Sequence, residues 1–436
     1  MRIRLKRTFQ SLTVRNYRLF ATGQLVKLVG VWMMFIAQDW LVLQLSGDSA
    51  TAVGFTVAMQ FTPILLLTLV GGSLADRYDK RTLLLVANAA FATLAIFLAV
   101  LVVSGAVQLW HVFVIAAGLG TANAIENPVR QAFVSELVGG TLLPNALSLN
   151  AAVFNTARIT GPAVAGGAIA LFGVGQAFLI ATTCVVAPLV SLARLRPREL
   201  HRDPLLPRSE RARARITDGI RYVWRRPDLV LPMALVTVVG AAGFNFQVTL
   251  PVLSKVVYET GAASFGLLAA ALAAGSLGGA LAGSWRRSRP SAYIVIGAAV
   301  GFGVFTMLVG FSSPYWLVLL LLLPTGFFAI YFAQAANQRV QLGCEAAFRG
   351  RVMALYIMVF LGTTPIGALA VGWWAERFGA ESAIWIGGLA SLVTAVSGLV
   401  WQLRHHGERL RVQIRPPRLR VVDHQLPDVV GADSRS

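Results

Sequence analysis

The sequence predicts an all-α polytopic membrane protein whose twelve transmembrane helices form two pseudo-symmetric six-helix bundles. Three observations predict it. The 436 residues are 56% hydrophobic and 13% charged, with mean hydropathy +0.68, too few polar groups to cover a water-soluble globule. Apolar runs long enough to cross about 30 Å of hydrocarbon as a helix recur along nearly the whole chain. One long polar interval, 194–228, divides six such runs from six.

In order, the spans read 18–45, 50–74, 82–103, 107–130, 142–172 and 174–194, then 230–257, 262–285, 291–311, 315–338, 350–375 and 381–402. This organises the chain as a first bundle (1–194), a linker (195–229), a second bundle (230–403) and a tail (404–436). In the linker, the stretch from Ser209 to Arg226 has helix-compatible composition. Ile216, Ile220 and Val223 at spacings of four and three predict an amphipathic helix lying on the membrane surface. The tail is polar, contains prolines and is expected to be partly disordered. The basic start followed by a long apolar segment is too long for a secretory signal and shows no small-residue cleavage site, so the first span is expected to be retained.

A formal charge of +19 and a pI near 11.2 would suit nucleic-acid binding, but the positions of the charges argue otherwise. The arm up to Arg18 carries six basic residues, the 194–226 segment eleven and the tail seven. Most of the rest sit in the 75–81, 286–289 and 339–351 loops. With alternating spans all of these fall on one side, while Lys255 and Arg377 flank the other. This is the positive-inside bias: it puts both termini in the cytoplasm, makes the lipid bilayer the partner, and removes nucleic acid as one.

Cys184 and Cys344 have no pairing or metal-ligand pattern, so no metal and no cofactor is expected. The chain lacks a Walker A motif, H-E-x-x-H and G-x-S-x-G, giving no support to an ATP-driven pump or a familiar hydrolase. The halves repeat weakly. "GGSLADRYDKR" (71–81) aligns with "GGALAGSWRRS" (278–288), and "TGPAVAGG" (160–167) with "TTPIGALA" (363–370), at offsets of 207 and 203 residues.

The stretch from Gly72 through Asp76, Arg77, Asp79, Lys80 and Arg81 resembles the G-x-x-x-D-R-x-G-R-R signature between the second and third helices of the major facilitator superfamily, with Asp79 replacing the second glycine. "NPVRQAF…ITGPAVAGG" (127–167) is similar to the segment joining helices 4 and 5 in the branch that holds the enterobactin exporter and macrolide-efflux proteins. "RGRVMAL…WWAERFG" (349–379) resembles its second-half counterpart. The resemblance implies the major facilitator fold, a small-molecule substrate, and a cytoplasmic gate of Gly72, Asp76, Arg77, Lys80, Arg81, Arg349 and Arg351. In it Asp76 would meet the start of the helix beginning near Arg349–Arg351. The basic residues of this loop fit an ordinary topogenic cluster equally well. The motif around Gly161, Pro162, Gly166 and Gly167, and the matching Pro365, imply kinks and close helix packing, and in the family the first is associated with export by antiport.

Ionisable groups inside hydrocarbon are functional candidates because each costs roughly 2.5–3.5 kcal/mol on insertion scales. Asp39 near the outer end of the first span and Glu126 in the fourth are the candidate proton carriers. Asp39 also fits a group reaching the outer interface, and Glu126 a structural partner of Lys27 or Arg130. Arg158 fits a partner of either carboxylate or a substrate contact. With helices 1, 4, 7 and 10 lining the cavity, as the resemblance implies, the substrate candidates are Trp32, Phe35, Asn123, Arg158, Asn245, Gln247, Tyr331 and Gln334. Aromatics among neutral amides suit an apolar or amphiphilic ligand.

The expected protein is therefore not an enzyme but a monomeric exporter of the bacterial inner membrane, moving amphiphilic, drug-like compounds outward in exchange for protons. A dedicated exporter of an endogenous metabolite, such as a siderophore, and a transport-inactive membrane sensor or assembly factor are the alternatives.

Overall fold

The computed structural model describes residues 9–201, 216–286, 288–406, 408–413 and 418–423. Of the linker helix expected from Ser209, the part before residue 216 lies outside the described residues. The first half holds α1 (Arg15–Leu45), α2 (Ala50–Ala75) and α3 (Lys80–Val103), a 64-residue run Leu109–Phe172, and α6 (Val174–Ala193). At 1.5 Å per residue that run is about 96 Å long, three times the hydrocarbon thickness. It is broken at Gly139, whose φ of 68° and ψ of 176° belong to no helix, and only glycine adopts such a backbone cheaply. We call its two parts α4 (109–138) and α5 (140–172). The eleven segments among the described residues that are long and apolar enough to cross a membrane thus amount to the twelve expected spans.

After α7 (Ile216–Trp224), the second half holds α8 (Pro227–Val257), α9 (Ala262–Ser284), α10 (Ala292–Phe311), α11 (Tyr315–Gly343), α12 (Ala346–Phe378) and α13 (Ala380–His406). β1 (Glu408–Gln413) and β2 (Arg418–Asp423) then pair antiparallel, Glu408 opposite Asp423.

Local chemistry sets the ends of these helices. Ser49, Asp79 and Ser291 cap α2, α3 and α10 by accepting N–H bonds from Ala52, Thr82 and Ile294. Gly173 and Gly379, both at φ 87°, end α5 and α12. They stand 206 positions apart, which extends the repeat to backbone conformation. α4 runs eight residues past the expected end of its span. Its extension packs Phe133, Val134 and Leu137 against Tyr17, Phe20 and Leu84 in a core at the end carrying the basic loops, hereafter the basic end.

In the first half α2 packs on α4, and α1 on α5 and α6; in the second α9 packs on α11, and α10 on α11 and α13. The halves meet through α2 against α12 and α5 against α9.

Candidate functional site

α8 is not a continuous α-helix. Wide π-helical turns at Val239–Gly243 and Leu253–Val257 flank a break at Phe244–Asn245. Such interruptions place backbone and side chains at binding sites inside membranes. The break turns Phe246, Gln247 and Leu250 toward Trp32, Phe35 and Asp39 of α1 and Arg158 and Pro162 of α5, around a cavity of about 90 Å³. Phe265 and Ala269 of α9 complete the wall. Asp39 is 7% exposed and makes no hydrogen bond or ion pair with any described residue. Arg158 faces the same space, its guanidinium 5.8 Å from the Trp32 ring, and pairs with neither candidate carboxylate.

Glu126 stands elsewhere. Its Oε1 lies 3.2 Å from Lys27 Nζ and 3.2 Å from Arg130 Nε, and all three residues are buried. Arg130 also donates to Asn127 Oδ1 at 3.0 Å. Lys27 and Asp39 are twelve residues apart on α1, about 18 Å along its axis, so the two carboxylates occupy separate sites.

Of the remaining substrate candidates, Asn245 is buried and donates to its own helix at Ala241 O, 2.7 Å away. Asn123 is half-buried on α4 and does not line the cavity. Tyr331 accepts a bond from Arg286 and stacks on Phe327. Gln334 lines a second cavity of about 620 Å³ at the basic end, between α9, α11 and α12, with Asn337, Gln338, Gln341 and Tyr356. Sequence reasoning missed the α9 wall: Phe265, Ala269, Leu272 and Ala273 share one helical face but carry no polar signal.

Two basic residues of the loop expected to form the gate are tied into their own half. Lys80 pairs with Glu136, and Arg81 donates to the carbonyls of Leu192 and Ala193 at 3.0 and 3.3 Å. Arg77 is exposed. Asp76 closes α2, its N–H donating to Gly72 O at 3.3 Å. α12 starts at Ala346, one turn before the expected Arg349–Arg351, with Arg349 exposed and Arg351 over the Phe348 ring. Gly71 rests on α4 at Ala124 and Ile125, whereas a Cβ on Gly72 would meet no atom within 4 Å.

The opposite end is shut between the halves. Asp48 pairs with Lys255. Glu376 accepts from Ser49 Oγ at 2.8 Å and Thr51 N at 3.0 Å. Two glycine seams lie beneath. A Cβ on Gly372 of α12 would fall 2.8 Å from Ala50 O of α2, and one on Gly166 of α5 would fall 2.7 Å from Ala262 O of α9. A Cβ on Gly266 would run into the carbonyl oxygen of Pro162, and Gly161 lets α5 rest on α1 at Trp32. Pro365 lies within α12, three residues before Ala368, whose carbonyl faces Gly54. The conformation is closed at the end remote from the basic loops, with a large cavity at the basic end.

The sequence profile of the transmembrane secretion effector family, a group of major facilitator proteins, matches residues 7–426. The chain belongs to that family. This facilitator is 25% identical over 386 residues to a staphyloferrin A transporter of Staphylococcus aureus, spanning 86% of this chain and 93% of that one. It is 27% identical over 358 residues to the multidrug efflux pump Tap of Mycolicibacterium fortuitum, spanning 80% and 87%. Its fold superposes on the nucleoside transporter NupG with a TM-score of 0.72 at 10% identity, over 88% of this chain and 98% of that one, a likeness of fold alone. The facilitator is a multi-pass membrane transporter of small molecules.

Proposed function

We propose that this facilitator exports small amphiphilic compounds across the bacterial inner membrane in exchange for protons, as a monomer with both termini and the basic end in the cytoplasm. The observation that carries the reading is Asp39, a buried carboxylate without a partner among the described residues, in an aromatic cavity next to the closed end. A carboxylate removed from water is stabilised by whichever positive species reaches it, a proton or a cationic substrate group. Competition between the two couples their movements in opposite directions. Glu126, held between two cations at 3.2 Å, is already neutralised and acts as a structural centre rather than a carrier.

The central cavity, at about 90 Å³, is smaller than the roughly 300–1,000 Å³ of ligand pockets. Substrate therefore requires α1 and α5 to separate from α8 and α9. Alternating access supplies that separation: the glycine seams part as the basic end closes, with Gly72 and Asp76 approaching α12. The resemblance of the Gly161–Gly167 motif to that of antiporters supports export, as does the multidrug efflux relative. The relative named for a single compound, staphyloferrin A, supports the second reading of a dedicated exporter.

The test is proton movement from inverted vesicles on addition of a panel of amphiphilic compounds. Substrate-driven proton release that disappears in Asp39→Asn and persists when Glu126→Gln is combined with Lys27→Met, so that no pair of buried cations is left facing, supports the assignment. Unchanged release in Asp39→Asn rejects it, and response to one compound alone selects the dedicated exporter.

A further inference from the structure

Between α7 and the first turns of α12 lies a cavity of about 420 Å³ that the transport reading does not use. Its walls are Arg221, Arg225 and Arg226 from α7 and its exit, and Arg351 from α12. Its floor is Tyr222 stacked on Phe348, centroids 4.4 Å apart and planes 8° from parallel. Arg226 is spoken for: it holds Asp228 with two hydrogen bonds of 2.9 and 3.1 Å, and Arg289 shares that carboxylate at 2.7 Å. Arg221, Arg225 and Arg351 make no ion pair with any described carboxylate. Three arginines thus line a hollow with no described carboxylate paired to them, an arrangement that suits phosphate oxygens.

α7 also shows what kind of phosphate. Ile220 and Trp224, one turn apart, are 38% and 75% exposed, and Arg221 and Arg225 form the neighbouring stripe. An exposed tryptophan beside arginines is the pattern of a helix lying at the membrane interface, with its apolar stripe among acyl chains and its basic stripe at the headgroups. A soluble phosphate would use the arginines and leave Trp224 and Ile220 without a role.

We infer that the cavity between α7 and α12 binds the phosphodiester headgroup of one anionic phospholipid, whose acyl chains lie along Ile220 and Trp224. The bound lipid joins the linker helix to α12, the helix that carries Gly372 of the closed seam at its other end.

The test titrates delipidated protein in neutral detergent with short-chain phosphatidylglycerol, counting bound lipid by native mass spectrometry. Parallel titrations use phosphatidylcholine of the same chain length and inorganic phosphate. Phosphatidylglycerol should bind preferentially, and its affinity should fall about fivefold for each arginine removed in Arg221→Gln, Arg225→Gln and Arg351→Gln combined. Removing three exposed arginines elsewhere, by Arg194→Gln, Arg198→Gln and Arg404→Gln, should change it by no more than about twofold. Ile220→Ser with Trp224→Ser should weaken phosphatidylglycerol and leave phosphate unaffected, a readout independent of whether the arginine variant folds. Equal binding of the two lipids, or equal loss in the control variant, overturns the site as general electrostatics. Displacement of the lipid by phosphate at matching concentration overturns it as a soluble-anion site.

Discussion

Gly166 of α5 and Gly266 of α9 meet across the interface of the two halves so closely that a Cβ on Gly266 would stand 3.0 Å from the Cα of Gly166. In lipid, where apolar side chains gain little by leaving the bilayer, such backbone approach is a main source of helix attraction. Gly54 and Gly372 form the matching seam between α2 and α12. The two seams hold one end of the transporter shut, and in the proposed cycle they open once per turnover.

Gly266→Leu therefore favours the conformation open at that end, because the added side chain runs into Pro162 O and Gly166. A cysteine at Phe35, which lines the central cavity, should react with a membrane-impermeant thiol reagent from the outside about tenfold faster in this background, a shift of about 1.4 kcal/mol in the equilibrium. Unchanged labelling would mean that the seam does not set the closed state.

Asp39→Asn should leave thermal stability unchanged or raise it slightly, since the carboxylate it replaces has no partner among the described residues to lose and a neutral amide is cheaper to bury. Substrate-driven proton release should nonetheless vanish. A melting temperature measured in detergent beside the vesicle assay separates this from misfolding; a large destabilisation would show that Asp39 serves the fold.

Much of this was legible in the sequence because the bilayer imposes it. Span number and length follow from hydrocarbon thickness, and the helices among the described residues match them. The extension of α4 past residue 130 was not legible, since Glu136 reads as a loop residue until Lys80 is seen to pair with it. Nor was the cavity wall from α9, where Phe265, Ala269 and Leu272 look like any other apolar helix face. Asn245 and Gln247 look equivalent as neighbouring amides, but the break in α8 turns only Gln247 into the cavity. Which polar side chain faces a ligand depends on kinks and crossings that a one-dimensional pattern does not carry.

Glu376→Ala removes an acceptor that ties α12 to Ser49 and Thr51 at the start of α2. Hydrogen bonds to a charged group contribute about 1.5–3 kcal/mol each, less where exposed to water. Opening of this end, read as the distance between spin labels on α2 and α12, should become measurably more populated. Asp48→Ala, which breaks the pair with Lys255, should act in the same direction but more weakly, since one exposed ion pair contributes about 0–1 kcal/mol. Closure unchanged in both variants would leave the glycine seams as the whole of the latch.

Glu126→Gln should be the most damaging of the carboxylate substitutions to stability. It leaves Lys27 and Arg130, each 3.2 Å from the lost Oε1, as two buried cations facing one another. Removing one partner of a buried ion pair costs about 3–5 kcal/mol, most of it from the charge left behind. Lys27→Met combined with Glu126→Gln should therefore recover much of the loss, because Arg130 retains Asn127 as a hydrogen-bond partner at 3.0 Å and a single cation remains. Thermal unfolding of the two single variants and the double variant forms a double-mutant cycle whose coupling term should reach about 1–3 kcal/mol. Additive losses would mean that Lys27 and Glu126 act independently, and Glu126 would then return as a candidate for the proton pathway.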